Sequence, residues 1–470
     1  MNTSRRRFLK NSAFGTGLLF STAAGYSSIL ELKEDVDISQ KKAKKRKSIF
    51  NMCGYATSPL PTVRIGYVGI GSRGSTALKR MTKIKGVVIN ALCDIKEEAV
   101  KKGQKILKEA GWSMASEYYG SDQSFKKLCE RGDIDLVYIV TSWEWHTPIA
   151  VYAMEHGKHA VVEVPAARTL EECWNLVETS ERTKRHCMQL ENCCYGFFEM
   201  LTLNMSRQGV FGELGHAEGA YIHTLGDAHL NNKKEWRLDE NLRNGNLYPT
   251  HGLGPVCQAL EINRGDQLEQ VVSMSTNDFQ MEKRIQELSA QDPFYRKYIG
   301  KKFRGNMNTS VIKTYKGKTI MLQHDVTSPR VYDRKHLISG TLGMAQEYPL
   351  PGKIAFGHEW VSEVEMKKLE EKYIPGLIRH IGATAKSVGG HGGMDYIMDW
   401  RLIDCLHKGL PLDQDVYDAA LWSAITPLSI WSVAHRSQPV NIPDFTGGHW
   451  KTNRPHDLSV QEVPTGNMKD

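Results

Sequence analysis

The chain has 470 residues, of which 40% are hydrophobic and 24% are charged, a composition typical of globular proteins with two or three domains. Its formal net charge of +8 owes much to residues 41–47 (KKAKKRK), which hold six basic residues and no acid. Because the remainder is close to balanced, composition and charge argue against a nucleic-acid partner.

The first thirty residues have the order of an export signal. Basic SRRRFLK precedes NSAFGTGLLFSTAAG, which is shorter and more polar than the ~20 apolar residues of a membrane span. The paired arginines resemble the twin-arginine signal, although a chance basic N-terminus is the alternative. We therefore predict a twin-arginine-type signal at 1–30, the twin-arginine export machinery as a partner, and a periplasmic or cell-envelope location. Residues 31–60 are predicted as a basic linker, with a solvated run at 41–47.

A dinucleotide-binding pattern opens the next segment. A predicted strand, Val63 to Val68, runs into Gly69-x-Gly71-x-x-Gly74 and a helix pattern, and a second strand ends at Asp94, twenty residues beyond Gly74. In this setting the glycines allow a tight turn, close approach of a pyrophosphate and helix–strand packing. Asp94 would bind a ribose 2′-hydroxyl and repel a 2′-phosphate, so NAD is favoured over NADP. A glycine-rich turn without ligand is the alternative.

The alternation of strands and helices continues to about residue 190. Residues 134–142 predict a buried strand, 143–157 a loop followed by a helix, and 158–165 another strand. This pattern predicts an N-terminal doubly wound parallel sheet, a Rossmann domain, over residues 61–190. Trp143 to His146 and Glu163-Val164 then lie at the carboxyl ends of strands, where ligands bind.

The nine cysteines include no Cys-x-x-Cys pair, and Cys193 and Cys194 are adjacent. This spacing predicts neither a zinc site nor a disulfide framework. We therefore predict that the site uses no metal.

The segments GIGSRG, TSWEWHTPIAVYAMEHGKHAVVEVPAA and GLPLDQDVYDAALWS resemble the glucose–fructose oxidoreductase/inositol dehydrogenase superfamily. The resemblance implies a C-terminal α/β domain with an open, mostly antiparallel sheet, here residues 191–470, that binds the substrate. It leaves a homo-oligomer open, because such sheets commonly pack against a second subunit. Dehydrogenases of this superfamily carry Glu-Lys-Pro where this chain has Glu163-Val164-Pro165. The missing lysine, which would help to move the substrate's proton, argues against an ordinary dehydrogenase.

A narrower resemblance accounts for this substitution. SWEWH, TLEECW, QLENCCYG, GNLYPTHGLGP and GHGGMDY, in one order from about Val63 to Trp450, are similar to glycoside hydrolase family 109, the NAD-dependent α-N-acetylgalactosaminidases. The resemblance implies hydrolysis of terminal α-N-acetylgalactosamine with NAD held as a cofactor. The implied steps are oxidation at C3, deprotonation at C2, elimination of the C1 substituent, water addition and re-reduction. Two alternatives stay open: an NAD-dependent sugar oxidoreductase that releases a 3-keto sugar, and a non-catalytic NAD- or sugar-binding protein.

The same resemblance assigns residues to the cofactor and to the sugar. Arg237 is less secure than the rest, because this chain is one residue shorter than the family between Arg237 and Tyr248. The substrate contacts it implies are Tyr221, Arg237, Tyr248 and Tyr332. The cofactor contacts, including the glycine loop, are Gly69, Gly71, Ser72, Arg73, Gly74, Asp94, Trp143, Glu144, Trp145, His146, Glu163, Val164, Asn192, Tyr248, Pro249, Thr250 and His251.

Because Val164 cannot move a proton, another side chain must. We predict His251 as the proton acceptor at C3, since histidine titrates near working pH, with Tyr248 or Tyr332 as a helper or as the C2 base. Alone, a histidine or tyrosine is more often a packed side chain, and the YPTH stretch could be a turn that opens a helix. The glycine-rich GGHGG is predicted as a hinge without chemistry, which leaves His391 a weak candidate.

Overall fold

The computed structural model describes residues 34–225, 230 and 233–457 of the chain. The predicted signal at residues 1–30 lies outside these described residues, so export stays a prediction. Within the described part of the chain, no helix combines the length and the apolar character that a membrane crossing needs.

The N-terminal domain is built on a six-stranded parallel sheet of order β3-β2-β1-β4-β5-β6, which confirms the predicted Rossmann architecture. Its central strands are continuous apolar runs, such as LVYI in β4, because helices cover both faces of a parallel sheet. The strands are β1 (Val63–Val68), β2 (Val87–Cys93), β3 (Ser116–Tyr118), β4 (Leu136–Ile139), β5 (His159–Val162) and β6 (Cys187–Gln189).

Within residues 34–190, which the structure describes, six helices accompany this sheet. One of them differs from the prediction: the WEWH segment, expected as a loop, is the first turn of a helix that begins at Trp143 directly after Ser142. Its backbone N–H groups therefore lie at a helix N-terminus, which favours anions and hydrogen-bond acceptors. The helices are α1 (34–45), α2 (Ser72–Met81), α3 (Glu97–Glu109), α4 (Ser124–Cys129), α5 (Trp143–Glu155) and α6 (Leu170–Thr183).

The second domain contains a nine-stranded sheet of order β14-β13-β12-β11-β7-β10-β9-β8-β15. Among these described strands β7 and β10 run parallel and the other neighbours are antiparallel, as predicted. The strands are β7 (Leu214–Ile222), β8 (Leu268–Ser275), β9 (Asn308–Thr314), β10 (Thr319–Asp325), β11 (Leu337–Gly340), β12 (Met344–Gln346), β13 (Lys353–Phe356), β14 (Glu359–Trp360) and β15 (Val440–Asn441).

The helices of the second domain cover one face of this sheet and reach back to the first domain. Arg80 of α2 donates to Asp399 of α13 at 3.0 Å, and the Tyr138 hydroxyl of β4 donates to the same carboxylate at 2.8 Å. The two domains therefore share a buried polar contact next to the glycine loop. The helices are α7 (Phe197–Arg207), α8 (Glu235–Glu240), α9 (Thr250–Ala259), α10 (Met281–Gln291), α11 (Glu363–Tyr373), α12 (Gly376–Val388), α13 (Met394–Lys408) and α14 (Val416–Ala434).

The basic N-terminal segment, expected as a solvated linker, contains a helix that packs against both domains. Arg46, 8% exposed in its side chain, forms an ion pair with buried Glu181 of α6 at 2.5 Å. Its guanidinium also donates to the carbonyl of Phe445 at 3.2 Å and lies 5.2 Å from the Trp174 ring. Charge counting alone misses this arrangement, because the buried acid that pairs with Arg46 is 135 residues away.

We predict that Arg46→Ala lowers the free energy of unfolding by about 3 kcal/mol, because it leaves the buried Glu181 carboxylate without its cation. Arg182→Ala on the same helix as Glu181 removes an exposed ion pair with Glu155 and should cost under about 1 kcal/mol. Denaturant unfolding of both variants measures the difference. Equal losses would show that the N-terminal segment is not anchored through Arg46.

Candidate active site

A cavity of about 840 Å³ lies at the carboxyl ends of β1, β4 and β5, between the two domains. It gathers most residues that the sequence assigned to cofactor and substrate, from Gly69 to His251, which are 182 residues apart. The predicted residues on its wall are Gly69, Gly71, Ser72, Arg73, Asp94, Trp143, Glu144, Trp145, His146, Glu163, Val164, Asn192, Tyr221, Arg237, Tyr248 and His251. Lys234, Trp236 and His391 also line it.

Four predicted residues lie off this wall. Gly74 packs against the carbonyl of Gly69, while Pro249 and Thr250 form the start of helix α9 behind His251. The Tyr332 ring lies 6.3 Å from the Tyr221 ring, and its hydroxyl accepts a hydrogen bond from Arg334 at 3.2 Å. Tyr332 therefore lies next to Tyr221 but does not line the cavity, unlike the other predicted substrate residues.

The glycine loop has the shape and the free donors that a dinucleotide needs. A Cβ on Gly74 would lie 2.0 Å from the Gly69 carbonyl oxygen, whereas a Cβ on Gly71 would meet nothing within 4 Å. Helix α2 begins after Gly71 with no side-chain cap and no acid in its first turn, so its N–H groups are open to a phosphate. The Asp94 oxygens accept the N–H groups of Ile70 at 2.7 Å and Lys96 at 3.0 Å. A carboxylate retains further lone pairs for ribose hydroxyls, so these residues fit NAD.

An aromatic wall faces the glycine loop. The Trp143 ring stacks at 5.9 Å on Tyr248 and lies 5.4 Å from Trp236, and the Arg237 guanidinium lies 4.7 Å from the Trp236 ring. His146 is 1% exposed, and its two ring nitrogens lie 2.7 and 3.1 Å from the carbonyls of Pro165 and Thr141. The His146 ring therefore bridges the segments that follow β4 and β5, and its role is to support the cavity wall.

Glu163 was predicted only as a ribose ligand, but it also pairs with an arginine of the glycine loop. Its carboxylate accepts from Arg73 Nε at 2.6 Å, and the same guanidinium donates to Asp395 at 2.8 Å. Asp395, the second residue of α13, also accepts from Asn192 at 2.5 Å. The arginine that the sequence placed in the phosphate loop thus joins strand end β5 to the second domain. Asp395 lies outside the sequence-based prediction, and the only signal for it was its place two residues after the glycine-rich GGHGG.

Close backbone packing brings His251 to Tyr221. A Cβ on Gly219 of β7 would lie 2.3 Å from the carbonyl oxygen of Gly252, and a Cβ on Gly254 would lie 2.9 Å from the Glu191 side chain. Helix α9 can therefore lie directly on β7 and on the segment after β6. The rings of Tyr221 and His251 are 5.2 Å apart as a result.

A buried carboxylate stands behind His251. Glu191 is 0% exposed, and its Oε1 lies 2.7 Å from His251 Nδ1. Burial acts to raise the pKa of the Glu191 carboxyl, but the charge and hydrogen bond of His251 outweigh it and hold the pKa below its usual value. An ionised Glu191 is only an acceptor, so Nδ1 carries a proton and Nε2 is the nitrogen available to the cavity. Glu191 was not predicted, although a carboxylate at the end of buried strand β6 was a usable signal.

The tyrosines around His251 are held in their neutral form. Burial raises the pKa of Tyr221 to about 12 and raises that of Tyr248 well above its usual value, and the nearby Arg237 offsets this only in part. The pKa of Tyr332 is also raised by partial burial of its hydroxyl, although the residue as a whole is 36% exposed. At neutral pH these phenols are hydrogen-bond donors, which leaves Nε2 of His251 as the proton acceptor beside them.

Glu191, Cys193 and His251 each offer a ligand atom within 4.8 Å of one another. Burial raises the pKa of the Cys193 thiol well above its usual value. A protonated thiol is a poor metal ligand, so the Glu191–His251 pair is better described as a proton-transfer pair than as part of a metal centre.

Two family models match almost the whole described chain. The model described as "Oxidoreductase family, NAD-binding Rossmann fold" matches residues 63–190, and that described as "Glycosyl hydrolase 109, C-terminal domain" matches residues 195–452. The second match alone covers more than half of the chain and contains Tyr221, Arg237, Tyr248 and His251.

Relatives of known classification agree with these matches. The chain is 52% identical over 411 residues to a "Glycosyl hydrolase family 109 protein" of Porphyromonas gingivalis, covering 84% of this chain and 86% of that one. It is 50% identical over 422 residues to an "Alpha-N-acetylgalactosaminidase" of Bacteroides fragilis, covering 87% and 97%. An aldose-aldose oxidoreductase from Caulobacter crescentus has the same fold, with a TM-score of 0.59 at 16% identity over 81% of this chain and 100% of that one.

We predict that Gly71→Ala lowers the NAD content of the purified protein by about tenfold or more, because the added methyl group occupies the space that a pyrophosphate needs. The protein without dinucleotide should keep its thermal midpoint, since a Cβ at Gly71 meets no atom within 4 Å. Gly132→Ala, at another uncrowded glycine of the same domain, is the control and should keep the full content. Unchanged NAD content in Gly71→Ala would mean that the dinucleotide does not cross this loop.

Proposed function

This chain belongs to glycosyl hydrolase family 109 and is an NAD-dependent glycosidase, and from that premise we propose that it removes terminal α-N-acetylgalactosamine from glycosides. The named activity of the Bacteroides fragilis relative supports this substrate. The observation that carries the proposal is the juxtaposition, in one cavity, of a dinucleotide loop and the Glu191–His251 pair.

Bound NAD would supply hydride acceptance at C3 of the sugar and hydride return after bond cleavage, so that hydrolysis involves no net redox change. Gly71, the N-terminus of α2 and Asp94 would hold its phosphate and ribose groups. Val164, 4% exposed on the cavity wall, contributes shape and excludes water, because it has no group that can move a proton.

Proton transfer at the sugar is assigned to His251. Its Nε2 takes the proton of the C3 hydroxyl, and the ionised Glu191 at Nδ1 stabilises the resulting imidazolium. The side chain is 13% exposed, so this proton can leave to solvent before the same nitrogen takes the acidified C2 proton. Tyr221 and Tyr248, both neutral, orient the sugar by donating hydrogen bonds to its oxygens.

An aryl α-N-acetylgalactosaminide without added NAD tests this function. We expect release of the phenol with no accumulation of absorbance at the NADH band, because the electrons return to the sugar within each turnover. Accumulating NADH would instead identify a sugar oxidoreductase. Neither signal, from protein shown to contain NAD, would identify a binding protein and contradict the proposal.

We predict that His251→Ala abolishes turnover and that Glu191→Gln lowers kcat by about 10²-fold or more, because the glutamine removes the charge that stabilises the imidazolium. Both variants should retain NAD, since neither residue belongs to the glycine loop. Steady-state kinetics together with NAD quantification in the unfolded protein provide the check. Near-normal turnover of His251→Ala would rule out its assignment as the base.

We also propose export through the twin-arginine pathway to the periplasm or cell envelope. The order of basic, weakly apolar and small residues at 1–30 supports it. That pathway carries folded proteins, which suits a protein that binds its cofactor before export.

A homo-oligomer joined through the second sheet is a further proposal. Met274 of β8 and Val311 of β9 are 65% and 50% exposed on the face of the sheet turned away from the helices. Apolar side chains on an uncovered sheet face favour contact with another surface.

A further inference from the structure

A short helix of the second domain, α8, meets the cavity where a dinucleotide would cross the sheet of the first domain. The strand order of that sheet reverses between β1 and β4, and dinucleotides bind at such a switch point with their pyrophosphate at the glycine turn. Trp143 follows β4 there, and its ring lies 5.4 Å from the ring of Trp236 in α8. Trp236 and Lys234, which directly precedes α8, line the cavity, although the sequence assigned neither of them a role.

Both domains hold α8 in this place. Leu238 is 0% exposed in a small apolar cluster that is separate from the main core, and Glu240 forms an ion pair with Arg168 of the first domain at 2.7 Å. The helix is thus fixed across the domain boundary at two points, the Trp143–Trp236 contact and the Glu240–Arg168 pair. The members of the small cluster are Leu230, Leu238, Met281, Ile285, Leu288, Tyr295, Tyr298 and Phe303.

The pyrophosphate of NAD brings two negative charges into the cavity, and few cations are available to offset them. Among the described residues of the cavity wall, the Lys and Arg side chains are those of Arg73, Lys234 and Arg237. Arg73 already donates from Nε to Glu163 and from Nη1 and Nη2 to Asp395, at 2.8 and 3.3 Å. Since Arg237 is the residue that the family resemblance assigns to the sugar, Lys234 is the cation left for the pyrophosphate.

Lys234 differs from the lysine beside it in having no acidic partner. Lys233 pairs with Asp292 at 2.5 Å, whereas no carboxylate of the described residues forms an ion pair with Lys234. Partial burial and the charge of Arg237 lower the pKa of Lys234 below its usual value. An anion bound next to the Lys234 ammonium group would oppose both effects, because an opposite charge favours the charged form.

We propose that residues 234–240 form a strap that retains NAD, in which Lys234 Nζ donates to pyrophosphate oxygens and Trp236 covers the dinucleotide against Trp143. The glycine loop holds the cofactor from the first domain and the strap holds it from the second. NAD then leaves only when α8 separates from Trp143. Such retention suits an enzyme whose cofactor must accept a hydride and return it within one turnover. The inference concerns NAD alone and does not depend on which glycoside is cleaved.

Release of NAD from the purified holoenzyme tests the strap without any glycoside. The protein, freed of unbound nucleotide, is mixed with alcohol dehydrogenase and ethanol, so that each released NAD becomes NADH and is read at the NADH band. We predict that Lys234→Met releases NAD about tenfold faster than the wild type, because it removes the cation next to the pyrophosphate. Lys233→Met removes the neighbouring lysine that pairs with Asp292; it is the matched control and should release NAD at the wild-type rate.

Ionic strength separates the charge of Lys234 from its shape. Salt screens the attraction between charges that solvent reaches, so high salt should speed release from the wild type and from Lys234→Arg but have little effect on Lys234→Met. Trp236→Leu should release NAD faster at every salt concentration and keep the salt dependence. Trp360→Leu, at a tryptophan of β14 that is 46% exposed, is its control and should match the wild type.

Three results would overturn the proposal. The first is wild-type release from Lys234→Met or from Trp236→Leu, and the second is faster release from Lys234→Met with the salt dependence intact. The third is unchanged release from Lys234→Met with a raised KM only for glycosides that have an anionic aglycone, which would place Lys234 on the substrate side. A wild-type enzyme that shows the expected NAD release but frees no phenol from the aryl glycoside would contradict the proposed function and leave the strap supported.

Discussion

A carboxylate taken out of water destabilises a protein unless cations and donors surround it, and this constraint shapes the whole site. Asp395 accepts hydrogen bonds from Arg73, Asn192 and His391. These residues come from the glycine loop, the end of β6 and the turn before α13, so satisfying one charge draws three segments together. Glu191 has the same effect on helix α9 through His251. With Asp395 and Glu191 both paired in this way, the space left between the two domains is the cavity.

The Arg73–Glu163 ion pair bears on why valine, and not lysine, follows Glu163. A lysine in place of Val164 would bring a cation to a strand end where Arg73 already pairs with Glu163. At the carboxyl end of β5 the positive charge of Arg73 already offsets the negative charge of Glu163 without that lysine. Proton transfer is then left to His251 of the second domain, which lines the same cavity and is paired with buried Glu191.

Local patterns were enough to predict the first domain and its glycine loop, whereas most residues of the cavity wall were predicted only through the family resemblance. Gly69, Gly71 and Asp94 follow a strand–turn–helix rule with fixed spacing, and the apolar runs of β1 and β4 bound the helices between them. The buried partners were not predictable in this way. Glu181 for Arg46, and Asp395 for Arg73, lie 135 and 322 residues away in sequence, and no periodicity links such distant residues. The helical start at Trp143 was missed because the aromatic residues and Pro148 obscure the helical pattern.

The central claim is that the glycosidic bond breaks by elimination after the C2–H bond has been broken, with the proton transfers at C3 and C2 made by His251. Release of the phenol from an aryl α-N-acetylgalactosaminide that carries deuterium at C2 measures this directly, by rate and by mass spectrometry of the sugar product. The account predicts slower release than from the protium substrate, and a sugar that has exchanged its label with solvent. Release at an unchanged rate, with the label fully retained at C2, would contradict it.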